Sequence, residues 1–191
     1  MRLDGMTAVV TGGASGMGAS MVYALAKEGA SIVVVDKNID GANAVVNNVK
    51  KQGGKAICVK ADVQSTDELD AMANEAMNTF GKINILVNNA GARVIKGFLE
   101  HTKEDWDTML GINLSGPFYC SQAIAPKMMA SGGGSIINIC SIASYMGRPN
   151  RCAYVAAKSG LLGLTRTMAI DLAPKNIRVN GISPGMIASP F

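Results

Sequence analysis

Short runs rich in valine and isoleucine recur along this chain, and longer amphipathic stretches separate them. Because these runs show little alternation between apolar and polar residues, they are typical of strands covered on both faces of a parallel sheet. The predicted strands are Thr7–Thr11, Ile32–Asp36, Ala56–Ala61, Ile83–Asn88, Ser135–Ser141 and Ile177–Ser183. The intervening stretches predict the helices Gly16–Glu28, Asp40–Lys51, Thr66–Phe80, Lys103–Ala130 and Cys152–Ala173.

The alternation of strands and helices predicts an α/β fold, namely a Rossmann-type doubly wound parallel sheet with helices on both faces. The expected strand order is 3-2-1-4-5-6, so ligands should bind beyond the carboxyl ends of the strands, where the order reverses between strands 1 and 4. Residues 1–191 contain no internal repeat, linker or low-complexity tract, and we therefore predict a single domain. The predicted helix N-caps are Asp40, Thr66 and Thr102.

Charge and cysteine usage argue against several classes of function. The formal net charge is +4, but the basic residues form no stripe with aromatic side chains, so we do not expect nucleic-acid binding. The four cysteines form no C-x-x-C pair and His101 is the only histidine, so we expect no metal site and reduced thiols in a cytoplasmic protein. No apolar run approaches membrane-spanning length, and the amino-terminal residues are not typical of a signal peptide.

A glycine-rich loop, residues 12–18, follows the first predicted strand directly and opens the first predicted helix. Gly12 allows a tight turn off the strand, and Gly16 and Gly18 allow the backbone to approach a pyrophosphate, which the free N–H groups of the helix N-terminus would bind. A structural turn is the alternative, but the order of strand, loop and helix favours a dinucleotide site. The residues predicted for this site are Gly12, Ser15, Gly16, Met17 and Gly18.

An acidic residue, Asp36, ends the second predicted strand and should lie near the adenosine ribose of a dinucleotide. A carboxylate there accepts hydrogen bonds from the ribose hydroxyls and repels a 2′-phosphate, so the sequence favours NAD over NADP. Lys37 follows directly and would soften that preference. A solvated strand end is the alternative interpretation of Asp36.

Two other predicted strands end in residues that would border the adenine and the middle of a dinucleotide. They are Asp62 and Val63 after strand 3, and the segment 88–91 after strand 4, from which we single out Asn89, Ala90 and Gly91. Ordinary turn chemistry explains Asn, Asp and Gly at such positions equally well.

Tyr154 and Lys158 are four residues apart in a predicted helix and therefore share one of its faces. An ammonium beside a phenol favours the phenolate, which makes the tyrosine suited to general acid or base catalysis at a substrate oxygen. Ser141 ends the fifth predicted strand, where its hydroxyl could reach the same oxygen. Asn113 lies inside a predicted helix, where asparagine is unfavoured, and is either a satisfied packing amide or part of a polar relay.

Together these features resemble the short-chain dehydrogenase/reductase family, and the resemblance covers nearly the whole chain. The matching motifs are Thr11-Gly12-x-x-x-Gly16-x-Gly18, Asn88-Asn89-Ala90-Gly91, Asn113, Ser141, Tyr154-x-x-x-Lys158 and Pro184-Gly185. The resemblance implies that Tyr154 is the acid/base, that Ser141 polarises the substrate oxygen, and that Lys158 binds the nicotinamide ribose. It further implies that Asn113 holds a water linking Lys158 to solvent.

The resemblance also implies that the residues after the last predicted strand lie near the nicotinamide. These residues are Pro184, Gly185 and Ile187, with Ser189 where a threonine is more usual. Family members usually continue through a mobile substrate lid, a helix and a last strand, which this sequence, ending at Phe191, does not include. The family is typically dimeric or tetrameric, so the resemblance implies a homodimer or homotetramer that pairs the predicted helices Lys103–Ala130 and Cys152–Ala173.

The implied function is an NAD-dependent oxidoreductase that moves a hydride between the cofactor and a secondary alcohol, a ketone or a related carbonyl substrate. Two alternatives stay open. One is a 3-oxoacyl-(acyl-carrier-protein) reductase, although that activity normally uses NADP and Asp36 argues against it. The other is a catalytically silent NAD-binding module.

Three arginines occur where the wall of the substrate pocket is expected to form. Arg93 follows the 88–91 segment, while Arg148 and Arg151 precede Tyr154. Arginine suits bidentate recognition of anions, so one hypothesis is that they pair with an acidic substrate group. Surface salt bridges or subunit contacts are the alternative. Met146 is a further candidate, for contact with an apolar part of the substrate.

Overall fold

The computed structural model describes residues 1–187 and contains a six-stranded parallel sheet in the order β3-β2-β1-β4-β5-β6. This order confirms the predicted doubly wound topology. The strands are β1 Thr7–Thr11, β2 Ser31–Asp36, β3 Ala56–Lys60, β4 Ile85–Asn88, β5 Gly134–Ile139 and β6 Ile177–Ile182. The α-helices are α1 Gly16–Lys27, α2 Ile39–Lys51, α3 Thr66–Phe80, α4 Lys103–Leu110, α5 Gly116–Ala130 and α6 Cys152–Leu172.

The central strand β1 pairs with β2 on one side and with β4 on the other. Val10 of β1 is in register with Val34 of β2 and with Val87 of β4. The crossovers therefore run in opposite directions on either side of β1, which opens a crevice beyond its carboxyl end. This crevice is where the sequence places its glycine-rich loop.

Helices cover both faces of the sheet, as predicted. On one face α1 and α2 contribute the buried side chains Val22, Ala42, Val45, Val46 and Val49. On the other face α3, α5 and α6 contribute Leu69, Met72, Ile124, Met128 and Met168, among others. The buried valines of β1 and β2 divide between these two clusters because successive strand residues point to opposite faces.

The predicted helix Lys103–Ala130 is helical throughout but is not a single α-helix. The chain stays helical there, but the segment Gly111–Ser115 between α4 and α5 is a π-helix, and the N–H of Gly116 bonds to the carbonyl of Gly111. Pro117 follows and has no N–H to donate to the carbonyl four residues back, which favours an interruption of the regular α-helical pattern at this point.

The helix starts were predicted less well than the helices themselves. Thr102 caps α4, because its hydroxyl accepts a hydrogen bond from the N–H of Asp105 at 3.1 Å. The caps of the other two helices lie one or two residues earlier than predicted. Asn38 rather than Asp40 caps α2, and Ser65 rather than Thr66 caps α3.

Candidate active site

A cleft of about 570 Å³ opens at the carboxyl ends of the strands. It is lined by the residues that the sequence predicts for a dinucleotide, namely Gly12, Ser15, Gly16, Met17, Gly18, Asp36, Asp62, Val63, Asn89, Ala90, Gly91, Pro184, Gly185 and Ile187. The same cleft is lined by Ser141, Tyr154 and Lys158. The fold therefore brings the predicted cofactor residues and three of the four predicted catalytic residues to one cavity.

The loop after β1 is held against the loop after β4. The amide nitrogen Nδ2 of Asn89 donates to the carbonyls of Thr11 and Gly12, both at 3.0 Å. The hydroxyl of Thr11 accepts from the backbone N–H groups of Asn89 and Ala90, both at 3.1 Å. Gly12 has a φ of +63°, and a Cβ there would lie 2.8 Å from the Cα of Ala90, so only glycine fits.

The N-terminus of α1 faces this cleft without a side-chain cap. Ser15 occupies the N-cap position but its hydroxyl caps no N–H, and the first turn contains no acidic residue. The N–H groups in the first turn of α1 and the positive end of its helix dipole are therefore available to an anionic ligand. Together with the closely packed glycine backbone, this arrangement fits the pyrophosphate of a dinucleotide.

The carboxylate of Asp36 is fixed at the end of β2 by two backbone N–H groups. Its oxygens accept from Ala14 of the glycine-rich loop at 3.0 Å and from Asn38 at 2.9 Å. The adjacent Lys37 turns toward the end of β3, where its ammonium lies 2.9 Å from the Asp62 carboxylate. The ammonium of Lys37, which would soften a preference for NAD, is therefore already paired with the carboxylate of Asp62.

Asp62 is itself held in the charged form. Burial alone would raise the pKa of Asp62, but hydrogen bonds from the Gln64 backbone and the Lys37 ammonium outweigh it and lower the pKa below its ordinary value. The N–H of Asp62 donates to Glu68 at 2.7 Å, which fixes the start of the loop after β3. Asp62 therefore remains ionised at this edge of the cleft.

Lys158 is the most buried charged residue of the cleft, with 4% of its surface exposed. Its Nζ donates to the carbonyl of Ile139, at the end of β5, at 2.7 Å. The same Nζ lies 5.9 Å from the centre of the Tyr154 ring. Burial lowers the pKa of Lys158 to about 8, because desolvation disfavours the ammonium.

Ser141 lies two residues beyond the end of β5, because the strand stops at Ile139 rather than continuing to Ser141 as predicted. Its hydroxyl accepts from the N–H of Ala143 at 3.1 Å and so opens a short 3-10 turn. The Ser144 hydroxyl accepts from the N–H of Ser141 at 3.3 Å and donates to the carbonyl of Lys158 at 2.8 Å. Ser144 thus connects the backbones of two predicted catalytic residues.

Asn113 lies in the π-helical segment and is fully buried. Its Nδ2 donates to the carbonyls of Ala92 and Met109, at 2.9 and 3.0 Å, and its Oδ1 accepts from the N–H of Ala92 at 3.4 Å. The side chain therefore ties the helix to the segment after β4. It does not line the cleft, whereas its neighbour Ile112 does.

The segment after β6 closes one side of the cleft. The N–H of Ile142 donates to the carbonyl of Pro184 at 3.1 Å, which holds this segment beside the Ser141 turn. Ile187 is half exposed, and Met186 is almost fully exposed although it also lines the cleft. Ser189 lies outside the described residues.

The structure separates the four substrate-pocket candidates. Arg93, Arg148 and Arg151 line the cleft with Tyr154, whereas Met146 is 53% exposed and does not line it. Cys140 also lines the cleft, but burial raises the pKa of its thiol, which disfavours the thiolate that a nucleophile requires.

Two polar residues of the site escaped the sequence analysis. Thr11 was predicted only as part of the Thr11-Gly12 motif, and Ser144 was not predicted. A serine three residues after Ser141 matches the spacing of a capping box, so this signal could have identified Ser144. The double role of the Thr11 hydroxyl has no comparable signal, because both its N–H partners belong to a loop far away in sequence.

Within residues 1–187, no group of three or more histidine, cysteine or acidic side chains is arranged to hold a metal ion. In the same residues, no helix has both the length and the apolar character that crossing a membrane requires.

Comparison with known proteins places the chain among known oxidoreductases. Residues 6–191 match the family described as short chain dehydrogenase. The chain is 42% identical over 187 residues to the 7alpha-hydroxysteroid dehydrogenase of Escherichia coli (strain K12), a match that covers 98% of this chain and 73% of that protein. It is 39% identical over 188 residues to a 3-oxoacyl-(acyl-carrier-protein) reductase of Synechocystis sp., covering 98% and 76%. A crystal structure of a short-chain type dehydrogenase/reductase from Mycobacterium marinum aligns with a TM-score of 0.96 at 32% identity, over 98% of this chain and 75% of that one.

Proposed function

This chain belongs to the short-chain dehydrogenase/reductase family of oxidoreductases, and we propose that it is an NAD-dependent enzyme acting on a small secondary alcohol or the corresponding ketone. The observation that carries the proposal is the presence of Ser141, Tyr154 and Lys158 on the wall of one cleft, beside a loop built to hold a dinucleotide. When bound, the nicotinamide supplies the hydride acceptor for oxidation or the hydride donor for reduction.

Tyr154 is the proposed general acid and base. During alcohol oxidation its phenolate takes the hydroxyl proton as the carbon–hydrogen bond breaks, and during ketone reduction the phenol returns a proton to the oxygen. The Lys158 ammonium, 5.9 Å from the centre of the Tyr154 ring, is proposed to attract the negative charge that develops at the reacting oxygens. Because the pKa of Lys158 is about 8, most of this ammonium is still charged at neutral pH.

Ser141 is proposed to orient the substrate oxygen. Its hydroxyl oxygen accepts from the Ala143 N–H, so the hydroxyl proton remains free to be donated to a substrate oxygen. Donation there stabilises the negative charge that develops on the oxygen during the reaction. Asn113 is proposed to hold a water molecule that links Lys158 to solvent. The side chain of Asn113 is itself engaged by the backbone of Ala92 and Met109.

The preference for NAD follows from the surroundings of Asp36. The carboxylate is held toward the cleft by two N–H groups, so a 2′-phosphate would face a fixed negative charge. The nearest lysine, Lys37, is engaged by Asp62. Members of the family use a nicotinamide cofactor, and this charge pattern supports NAD as the one used here.

Family members typically form oligomers, and we propose a homodimer or homotetramer built on the helical faces of α4, α5 and α6. These helices expose the large apolar side chains Trp106, Phe118, Met129 and Ile170. Burying such side chains between copies removes apolar surface from water. Light scattering coupled to size exclusion tests this, and a monomer at micromolar concentration would contradict it.

The first experiment measures nicotinamide reduction with NAD and, separately, with NADP against a panel of polyols, hydroxy acids, hydroxysulfonates and sterols. Turnover with NAD that is abolished in Tyr154→Phe, while NAD binding persists, supports the proposal. NAD binding without any turnover would instead support a catalytically silent module.

A reductase acting on carrier-bound 3-oxoacyl chains is the second candidate, favoured by the 39% identity to the Synechocystis enzyme. Oxidation of NADPH with acetoacetyl-coenzyme A distinguishes it. Rates with NADPH that exceed those with NADH would favour this candidate and contradict the role assigned to Asp36.

A further inference from the structure

The basic side chains of the cleft are distributed unevenly. Its lining contains the basic residues Lys37, Arg93, Arg148, Arg151 and Lys158 and the acidic residues Asp36 and Asp62. Both acids stand at the ends of β2 and β3, on the far side of β1 from Tyr154. The end of the cleft that contains Tyr154 therefore holds three arginines and, within residues 1–187, no lining carboxylate.

These arginines come from two loops that are tied together. The N–H of Lys96, in the loop that follows Arg93, donates to the carbonyl of Asn150 at 3.0 Å. Asn150 adopts a left-handed conformation with a φ of +59°, which asparagine tolerates, and this turn leads directly into Arg151. The positions of the arginine-bearing loops are thus set by the fold.

Arg151 is the N-cap residue of α6 and precedes Tyr154 by three residues, so one helical turn separates the two. Its side chain provides no cap, and the first turn of α6 contains no acidic residue. An anion at this end of the cleft would therefore meet a guanidinium and the positive end of a helix dipole together.

The side chain of Arg151 is partly buried, and one of its nitrogen atoms lacks a hydrogen-bond partner within residues 1–187. Its Nε is buried and has no hydrogen-bond acceptor among the described residues. Neither Arg148 nor Arg151 lies within ion-pair distance of a carboxylate of residues 1–187. A buried N–H without an acceptor is costly, so a ligand acceptor here would recover free energy that the protein alone leaves unrecovered.

We infer that the substrate carries a small oxyanion, a carboxylate or a sulfonate, close to its reacting carbinol carbon, and that Arg151 binds this group with Arg148 adding positive charge. The inference rests on the proposed dehydrogenase function and specifies its substrate class. Arg151 acts as a specificity determinant, because it holds the anion while Ser141 and Tyr154 engage the hydroxyl one helical turn away.

The test compares substrates that share a carbinol and differ in charge. The probes are β-hydroxybutyrate, its neutral methyl ester and the corresponding β-hydroxysulfonate, each assayed with NAD and the full chain. Wild type is compared with Arg151→Ala and Arg151→Lys, and with Arg166→Ala as the matched control. Arg166 is an exposed arginine of the same helix that does not line the cleft.

Wild type is expected to have a higher kcat/KM with the anionic probes than with the ester. Comparison of β-hydroxybutyrate with the β-hydroxysulfonate shows whether a carboxylate or a sulfonate is preferred. Arg151→Ala should lower kcat/KM for the anions by at least about tenfold, the usual scale for losing a charge-assisted hydrogen bond, mainly through KM. The same variant should lower kcat/KM for the ester much less than for the anions, so that the preference for anions falls. NAD affinity within about twofold of wild type would show that the variant folds, and Arg166→Ala should leave the activity with all three probes unchanged.

Three outcomes overturn the inference. The first is that wild type has the higher kcat/KM with the ester. The second is that Arg151→Ala and Arg166→Ala reduce kcat/KM for the anionic probes by the same small factor. The third is that Arg151→Ala weakens NAD binding as much as it reduces substrate turnover. Turnover of the ester with no anion preference would leave the dehydrogenase function standing while removing this specificity.

If no probe is turned over, the dehydrogenase function fails for this substrate series and binding still decides the inference. Ligand-observed magnetic resonance then compares β-hydroxybutyrate with its ester in the presence of NAD. Binding of the acid that is stronger than that of the ester and lost in Arg151→Ala supports the anion site. Equal binding of acid and ester contradicts it.

Discussion

The Nζ of Lys158 donates to the carbonyl of Ile139 at 2.7 Å, so the buried ammonium of α6 is attached to the last residue of β5. This bond places the lysine between the sheet and Tyr154, whose ring centre lies 5.9 Å from the same nitrogen. The arrangement serves the proposed chemistry, but it requires the fold to bury a positive charge. We expect that cost to be measurable in the ligand-free protein.

Replacing Lys158 should change how stability depends on pH. The pKa of Lys158 is 10.5 as a free side chain and about 8 in the fold, so between these pH values the unfolded chain binds more protons. The free energy of unfolding therefore rises with pH through that window. Below pH 8 the folded state carries the full cost of burying the charged ammonium, roughly 3 kcal/mol. Lys158→Met should abolish the rise in unfolding free energy, measured by urea denaturation from pH 7 to pH 10.

The exposed Lys51 of α2 provides the control for this measurement. Lys51→Met should preserve the slope of wild type, because its side chain stays in water whether or not the chain is folded. Absolute stability is a weaker criterion, since Lys158→Met also leaves the Ile139 carbonyl without its donor. Identical slopes in Lys158→Met and wild type would show that the ammonium is not held at an energetic cost.

Asp36→Asn should reduce discrimination between the two nicotinamide cofactors. The asparagine oxygen can still accept from Ala14, so the loop is retained while the negative charge is lost. We expect the ratio of kcat/KM for NAD to that for NADP to fall at least about tenfold, because the 2′-phosphate no longer meets a carboxylate. Asp40→Asn, an exposed acid on α2 outside the cleft, should leave the ratio unchanged. A rise in the ratio for Asp36→Asn would contradict the assignment.

The strand order and the cleft could be predicted from the sequence because they depend on local patterns. Val- and Ile-rich runs identify buried strands, and the order of strand, glycine-rich loop and helix identifies the phosphate end of the cleft. The spacing of Tyr154 and Lys158 required only that both lie in one helix. These features are set by residues that are close together in sequence.

The features that escaped prediction depend on contacts between distant segments. The π-helical segment ends at Gly116 and Pro117, and Gly116 packs so closely on the loop after β3 that a Cβ there would lie 2.8 Å from a methyl group of Val63. The bond between Lys96 and Asn150 joins loops that follow different strands. Neither contact leaves a periodic signal in the sequence, because each is created only when the sheet assembles.

Gly18→Ala should impair the phosphate end of the cleft. A Cβ at this position would lie 2.0 Å from the carbonyl oxygen of Gly12, a backbone atom that can move only if the loop moves. We expect NAD affinity, measured by calorimetry, to fall at least tenfold and unfolding free energy to fall by about 1–3 kcal/mol. Gly163→Ala is the control, since a Cβ there meets nothing within 4 Å. Wild-type NAD affinity in Gly18→Ala would show that the loop is not the binding element.

Ser144→Ala tests whether the hydroxyl that connects Ser141 and Lys158 positions them. The variant loses the acceptor for the Ser141 N–H and the donor to the Lys158 carbonyl, at a cost of about 1 kcal/mol in stability. Misplacing both residues should lower kcat roughly tenfold while NAD affinity is retained, because the glycine-rich loop is untouched. Ser159→Ala, which removes only a longer bond of 3.4 Å to the Ser144 carbonyl, should have a much smaller effect on kcat. Recovery of kcat in Ser144→Thr would identify the hydroxyl itself as the positioning group, whereas an unchanged kcat in Ser144→Ala would restrict Ser144 to stability.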